Sequence, residues 1–374
     1  MKKVGIITIH KINNYGSVLQ AYALQRVCNE MGYTVEIIDY NFPNQAHTDN
    51  KYAVHQDTQA TEPRLIKMLY ALELVRQHKG IGHFVKQYHN LSIREYNSPD
   101  DLALNPPQYD IYITGSDQLW NPRYCNGDPA FMLHFAPDVA LRISYAASIG
   151  ADSIPNELKS QYKKLLSQYA HISVRENSGV NVIRDVVGKD ATVVLDPSLL
   201  LNKDQWNEIA SPDRQYKKKY ILCYFLNYTF NAFPYVDKLA QYIQKQTGYE
   251  LVRVARPPHH LCAQHTHYRI GASPEEFLAL VRDAEMILTT SFHGTAFAVN
   301  YGKPVFTVVK DKGASDSRQI SLMHNVGLDS QVLSVNDEMP DASRFSYDVA
   351  AEQNRLEHLR RESKDYLKTA LINE

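Results

Sequence analysis

One cadence constrains what this chain can fold into. A short apolar run ends in a polar or glycine-containing turn, a helical pattern follows, and another apolar run begins. Its clearest instance is Glu285–Val309, EMILTTSFHGTAFAVNYGKPVFTVV. Glu285–Thr290 is β-prone. Phe292, His293 and Gly294 make a turn. Thr295–Tyr301 has helical apolar spacing, with Phe297, Ala298 and Tyr301 sharing a face. Gly302 caps that helix and Pro304 opens the next strand. His293 therefore stands where a parallel strand ends and a helix begins. Open α/β sheets bind ligands there, beside unpaired helix N–H groups that favour anions. A histidine can exchange protons near neutral pH. His293 is expected to be catalytic and to face a phosphorylated substrate.

The cadence runs through the whole chain. Val4–Ile9 reads as a buried parallel strand. Ser17 is the expected N-cap of a helix from Val18 to about Met31, and Gly32 ends it. Tyr33–Asp39 is the next strand. This βαβ unit lacks the GxGxxG fingerprint, so nucleotide binding does not follow from it. Asn41 to about Thr61 is polar and irregular and reads as a mobile insertion. Arg64–Tyr88 is an amphipathic helix. Tyr109–Thr114 is a strand ending in Gly115-Ser116-Asp117-Gln118-Leu119-Trp120. Ile143–Ala147 and His171–Val174 are further strands, the second delivering Arg175 and Glu176. Thr192–Leu195 leads to Asp196-Pro197-Ser198.

Asn202–Lys219 then turns charged and polar and reads as a linker. The pattern restarts with strands Tyr220–Leu226 and Glu250–Ala255. Ser273 caps the helix Pro274–Asp283 with Glu276 completing a capping box. The helix Ser317–Asn325 carries Arg318, and Ala350–Ile372 is a charged helix. Alternation of this kind predicts parallel sheets wrapped by helices. The expected architecture is α/β, with two Rossmann-like domains facing across a cleft. They span residues 1–201 and 220–345, joined by a linker at 202–219. Residues 346–374 pack back across the junction.

At 374 residues the chain is long enough for two cores. Its net charge of −1 argues against nucleic acid as a partner. Cys28, Cys125, Cys223 and Cys262 have neither metal-ligand nor redox spacing, which fits reduced thiols in the cytoplasm. The opening apolar run is too short for a signal peptide, and no stretch is long enough to span a membrane. The histidines at 259, 260, 265 and 267 match no standard metal spacing, so no metal is expected. There is no GxSxG elbow and no P-loop.

Four strand-end elements could converge on one cleft: Asn14–Ser17, Gly115–Trp120, Arg175 and Ser291–Gly294. Arg175 and Arg318 suit phosphate or carboxylate, because a guanidinium offers paired donors. Asn14, Tyr15, Gly16, Ser116, Asp117, Gln118 and Trp120 form an expected polyol site, with an acid, an amide and an indole.

Read together, NNYGSVLQAYALQ, TGSDQLWNP, SYAASIG, SVREN, LDPSLLL and SFHGTAFAVNYGKP make the chain resemble the polysaccharide pyruvyltransferase family. The pieces occur in order from residue 4 to about 330. The resemblance implies a fold similar to GT-B glycosyltransferases. It implies transfer of pyruvate from phosphoenolpyruvate to a sugar of a surface polysaccharide, as a pyruvyl ketal. It also places the family's catalytic histidine on His293 and a motif arginine on Arg175, which makes these two the expected catalytic pair, Arg175, Arg318, Ser291 and Gly294 the expected donor side, and the polyol site the expected acceptor side. Expected partners are phosphoenolpyruvate and a sugar or lipid-linked oligosaccharide, with peripheral association at the inner face of the membrane and no cofactor beyond the donor. Many members carry Arg-Leu-His-Gly where this chain has Ser291-Phe292-His293-Gly294. Either Arg318 supplies the missing charge, or this branch uses another donor. A nucleotide-sugar glycosyltransferase on the same fold is the alternative.

Overall fold

A computed structural model describes residues 1–42, 64–226, 230–254, 265–313 and 318–373. The expected insertion beyond Phe42 and His259, His260 and Cys262 lie outside the described residues.

The first sheet has the order β3-β2-β1-β4-β5, all parallel. Its strands are β1 (Lys3–Ile7), β2 (Thr34–Tyr40), β3 (Leu91–Tyr96), β4 (Ile111–Thr114) and β5 (Leu141–Ser144). A short parallel pair, β6 (Ser173–Val174) and β7 (Thr192–Val193), joins it through bridges from Ile143 to His171 and from Ala147 to Val174. The second sheet has the order β10-β9-β8-β11-β12-β13, again all parallel. Its strands are β8 (Tyr220–Tyr224), β9 (Glu250–Arg253), β10 (Thr266–Tyr268), β11 (Met286–Thr289), β12 (Val305–Val309) and β13 (Val332–Ser334). The central strands are apolar on both faces because helices cover both faces. Strand order reverses between β1 and β4 in one sheet and between β8 and β11 in the other. Ligands of open α/β sheets bind outside the carboxyl ends of strands at such points.

Helix α1 (Tyr15–Glu30) begins three residues earlier than the spacing predicts. Asn14 is its N-cap, and its Oδ1 accepts from the N–H groups of Gly16 (2.9 Å) and Ser17 (3.4 Å). Ser17 is thereby released from capping. Every residue of α1 from Tyr15 to Gln25 is buried, as expected of a helix enclosed on all sides. Tyr15 stacks on Phe277 of the helix Pro274–Asp283 at 4.6 Å, and Trp206 meets Phe297 at 5.1 Å. One hydrophobic cluster runs from Val4 and Ile113 through these rings to Ile287 and Val305, so the halves share a core.

Within 202–219, Asn202 and Gln205 form a capping box on a short helix, α7 (Lys203–Asn207), preceded by α6 (Pro197–Leu200). Between α1 and α6 lie α2 (Arg64–Tyr88), α3 (Pro99–Leu104), α4 (Asn156–Leu166) and α5 (Asn177–Val187). After α7 come α8 (Tyr235–Thr247), α9 (Pro274–Asp283), α10 (Phe292–Asn300), α11 (Arg318–Asn325) and α12 (Val349–Ile372). From α12, Ser363 Oγ accepts from Leu195 N–H, and Arg360 donates to Leu199 O and to Asn300 Oδ1. The last helix thus ties the β7 end of the first half to α10 of the second.

Candidate active site

The two reversal points meet. From the first sheet, the β4 end supplies Ser116 and Asp117, the N-terminus of α1 supplies Gly16 and Ser17, and the β6–β7 pair supplies Arg175 and Asp196. From the second sheet, the first turn of α10 and its N-cap supply Ser291, Phe292 and His293; the helix starts at Phe292, where the spacing predicts a turn, because Ser291 caps it.

Asp196 is the hub. It is 1 % exposed and N-caps α6, its Oδ1 accepting from the Ser198 N–H (2.9 Å) and Oγ (2.7 Å). Its Oδ2 accepts from Arg175 Nη1 at 2.7 Å and from Ser116 Oγ at 2.8 Å. His293 Nε2 lies 3.6 Å from the same oxygen. Burial pushes the Asp196 carboxyl up, but His293 and Arg175 outweigh it and hold the group far below the usual carboxylate range.

Asp117 is the second carboxylate. Its φ of 82° puts a non-glycine residue in left-handed backbone, a strained geometry that tends to mark functional turns. Oδ2 accepts from Ser17 Oγ at 2.7 Å, and Oδ1 sits 3.7 Å from Arg175 Nη2. Here too burial raises the pKa, and Arg175, His293 and Ser17 more than reverse it, with Arg318 contributing. Both carboxylates therefore stay ionised at neutral pH.

The cationic face is incompletely bonded. Arg175 Nε and Nη2 and His293 Nε2 are buried with no hydrogen-bond partner among the described residues. Two guanidiniums approach the Phe292 ring, Arg175 at 4.3 Å and Arg318 at 6.0 Å from its centroid. On the other side of His293, a β-carbon added to Gly16 would stand 2.0 Å from Nδ1. Only glycine leaves room for the imidazole. Such a cluster can bind a small anion and pass a proton to it.

Residues 14–311 match the model of the polysaccharide pyruvyl transferase family. The chain belongs to that family. A search of curated proteins returned no match. Among solved structures, a protein from Listeria monocytogenes assigned as a UDP-N-acetylglucosamine 2-epimerase is similar at 10 % identity and TM-score 0.53, over 98 % of this chain and 90 % of that one. The UDP-GlcNAc 2-epimerase of Methanocaldococcus jannaschii is similar at 12 % identity and TM-score 0.51, over 94 % and 98 %. The S. aureus MnaA–UDP structure is similar at 12 % identity and TM-score 0.50, over 97 % and 91 %. The likeness is one of fold. This pyruvyl transferase family member shares its α/β architecture of two parallel sheets with those 2-epimerases.

Not every residue marked from the sequence reaches the family member's cluster. Trp120 is 0 % exposed and its Nε1 donates to Phe131 O, so it props the Gly115–Trp120 loop from behind and has no face to offer a sugar. Tyr15 is equally enclosed. Its hydroxyl donates to Ala272 O and accepts from Gln77, which fastens the two halves together. Asn14 is occupied as a cap. Gln118 accepts from Asn121 Nδ2 at 2.7 Å and borders Gly150. Ser291 N-caps α10, its Oγ accepting from Gly294 N–H. Gly294 is required by packing, since a β-carbon there would lie 2.3 Å from Thr289 Oγ1.

Asp196 is the member that the sequence reading left out of its converging elements, whereas Ser17 and Phe292 lay within them but were given no role. Asp196 did carry a signal, an acid placed directly after an apolar strand and before Pro-Ser. Behind the cluster, Glu176 Oε1 accepts from the N–H groups of Ile149 (2.8 Å) and Gly150 (3.0 Å), fixing the loop beside Asn121. A cavity of about 50 Å³ adjoins Arg175, Asp196 and Phe292 on the side of Leu322 and Ser363. Among the described residues there is no cluster of three side chains suited to a metal, and no helix long and apolar enough to cross a membrane.

Proposed function

We propose that this protein transfers a pyruvyl group from phosphoenolpyruvate to two hydroxyls of a sugar in a surface polysaccharide or its precursor. The product is a pyruvyl ketal and inorganic phosphate. The observation that carries this reading is the set of buried nitrogens of Arg175 and His293 that make no hydrogen bond, held only by longer ion pairs to two ionised carboxylates. Buried polar groups are otherwise nearly always bonded.

In this reading Arg175 and Arg318 receive the phosphate and carboxylate of the donor, helped by the amino end of α10. His293, protonated and ion-paired with Asp196, delivers its proton to the terminal carbon of the enol. The adjacent carbon becomes electrophilic. One sugar hydroxyl adds there and gives up its proton, and the bond to the phosphate oxygen breaks. The second hydroxyl then closes the ketal; one hydroxyl proton returns to His293 and the other leaves with the phosphate as hydrogen phosphate. Proton transfer by His293 would contribute roughly 10²–10⁴-fold to the rate. Asp117 and Ser17 orient the acceptor. The first sheet is the acceptor side and the second the donor side, and no cofactor beyond the donor is needed. The reading includes an acceptor presented at the inner face of the membrane, a cytoplasmic site of action and peripheral membrane association.

The test is incubation with phosphoenolpyruvate and a panel of free and lipid-linked glycans, following phosphate release and product mass. Ketal formation that is lost in His293→Ala supports the reading. Turnover of a uridine or guanosine diphosphate sugar, with phosphoenolpyruvate inert, replaces it with glycosyl transfer.

A further inference from the structure

A second, larger cavity lies at the carboxyl ends of β1 and β2, on the first sheet. It measures about 220 Å³ and is lined by Ile9, His10, Lys11, Ile12, Tyr40, Asn41 and Phe42. None of these residues belongs to the cluster around His293. Pockets for drug-sized ligands measure about 300–1,000 Å³, so this one suits a single small ring.

Its polar groups are fixed from behind. His10 is 1 % exposed, with Nδ1 at 3.0 Å from Thr8 O and Nε2 at 3.1 Å from Asp39 Oδ1. Lys11 Nζ lies 2.5 Å from Asp39 and 3.0 Å from Glu95. Glu95 also accepts from Asn41 Nδ2, so one carboxylate tethers both lining side chains. Phe42 supplies an apolar wall, its ring stacked on Tyr124 at 5.9 Å and against Phe131 at 5.4 Å. Burial raises the Asp39 carboxyl, and His10 and Lys11 together bring it below its ordinary value.

The charge balance selects the ligand. The cation of Lys11 is matched by Asp39 and Glu95 behind it, so a phosphate would find no spare positive charge. A metal ion would meet the Lys11 ammonium. A neutral polyol meets neither obstacle. Its hydroxyls both donate and accept, which fits the Asn41 amide and the Lys11 ammonium beside the aromatic wall of Phe42. β1 neighbours β4, whose end carries Asp117, and β2 is the next strand out. At about 4.8 Å between strands, the pocket lies roughly 5–10 Å from the reversal point, the reach of one or two sugar rings.

We propose that this pocket is a hexopyranose subsite. It grips a neutral sugar of the acceptor glycan next to or one removed from the sugar that is modified. The assignment of the ligand as acceptor rests on the function proposed above. The sugar specificity does not.

Saturation-transfer NMR tests it on the His293→Ala protein without phosphoenolpyruvate. The probes are the methyl glycosides of glucose, galactose, mannose and N-acetylglucosamine at tens of millimolar. At least one is expected to receive saturation, and the signal is expected to fall at least fivefold in Lys11→Ala and in Asn41→Ala, with circular dichroism unchanged. No transfer to any of the four overturns the subsite, as does transfer that survives both substitutions. Sugar binding here without ketal formation in the turnover assay would leave the subsite standing and remove the pyruvyl reading.

Discussion

Gly16→Ala asks whether the site depends on the two halves meeting with no space to spare. The added methyl carbon would stand 2.0 Å from His293 Nδ1, 2.2 Å from Cγ and 2.7 Å from Cβ. Ordinary contact begins near 3.4 Å, so the ring must retreat by about 1.4 Å or α1 must shift as a body. α1 has little room, being buried from Tyr15 to Gln25. The imidazole is the softer partner, and moving it changes its 3.6 Å approach to Asp196.

Two energies oppose each other. Alanine favours a helix over glycine by up to about 1 kcal/mol. Overpacking costs about 1–3 kcal/mol. The net loss of stability is expected to be modest, between about 0 and 2 kcal/mol. The loss of activity is expected to be large, on the order of 10²-fold, because a displacement of about 1 Å at a reacting group costs that much. Gly82→Ala is the control. That helical glycine is exposed with nothing within 4 Å of an added β-carbon, so it is expected to be neutral or stabilising. Denaturant melts, phosphate release and the His293 imidazole resonances report stability, activity and position separately. A Gly16→Ala protein with wild-type turnover and an unmoved His293 resonance would refute the reasoning.

Other perturbations separate the hub from the frame. Asp196→Ala leaves Arg175 buried beside one carboxylate instead of two, and is expected to lose about 3–5 kcal/mol in a urea melt and nearly all activity. The Asp196 pKa is depressed in the fold, so its stabilisation is present above the unfolded carboxylate value and is lost as pH falls. Asp196→Asn should therefore flatten the acid limb of the stability–pH curve. Glu352, 2 % exposed near the start of α12, is raised by burial to about 7, with Gln353 opposing. Its favourable contribution is full below about pH 4.5 and lost as pH rises through 7, so Glu352→Gln should gain up to about 3 kcal/mol at pH 8 and nothing at pH 4. Trp206→Ala empties a fully buried ring between the halves and is expected to cost about 3–5 kcal/mol.

The long, strongly patterned elements were legible in the sequence, and the reasons are physical. Arg64–Tyr88 is helical throughout and ends at Tyr88, as the periodicity reads. The α9 start was legible because Ser273, Pro274 and Glu276 form a complete capping signature. β3 escaped because it is an edge strand, with Arg94 and Glu95 in LSIREY and Ile93 fully exposed, so it shows no buried run. β10 and β13 escaped because three residues carry no period. The α1 cap was misplaced because two capping residues, Asn14 and Ser17, lie three positions apart, and composition alone does not say which one the chain uses. The answer matters for the site, since the unused cap is the hydroxyl that reaches Asp117.

Residues of the candidate cluster were legible at most strand ends, with Asp196 after β7 the exception, and illegible wherever the decision lay in burial. Trp120 and Tyr15 look from their surroundings in sequence like sugar platforms, yet each is enclosed by the loop or helix it stabilises. Gly16 was marked as one residue of an acceptor turn. Its requirement arises 277 positions away, at a ring carried by the other sheet. His293 can approach Asp117 and Asp196 only because α1 and α10 pack with no β-carbon between them. Tyr15, Phe277, Trp206 and Phe297 make that packing continuous with the hydrophobic core. A hinge that separated the two sheets would expose these rings and dissolve the cluster at once. The site and the interface are thus one structure, and perturbing the frame at Trp206 should move the His293 resonance as well as the melting transition.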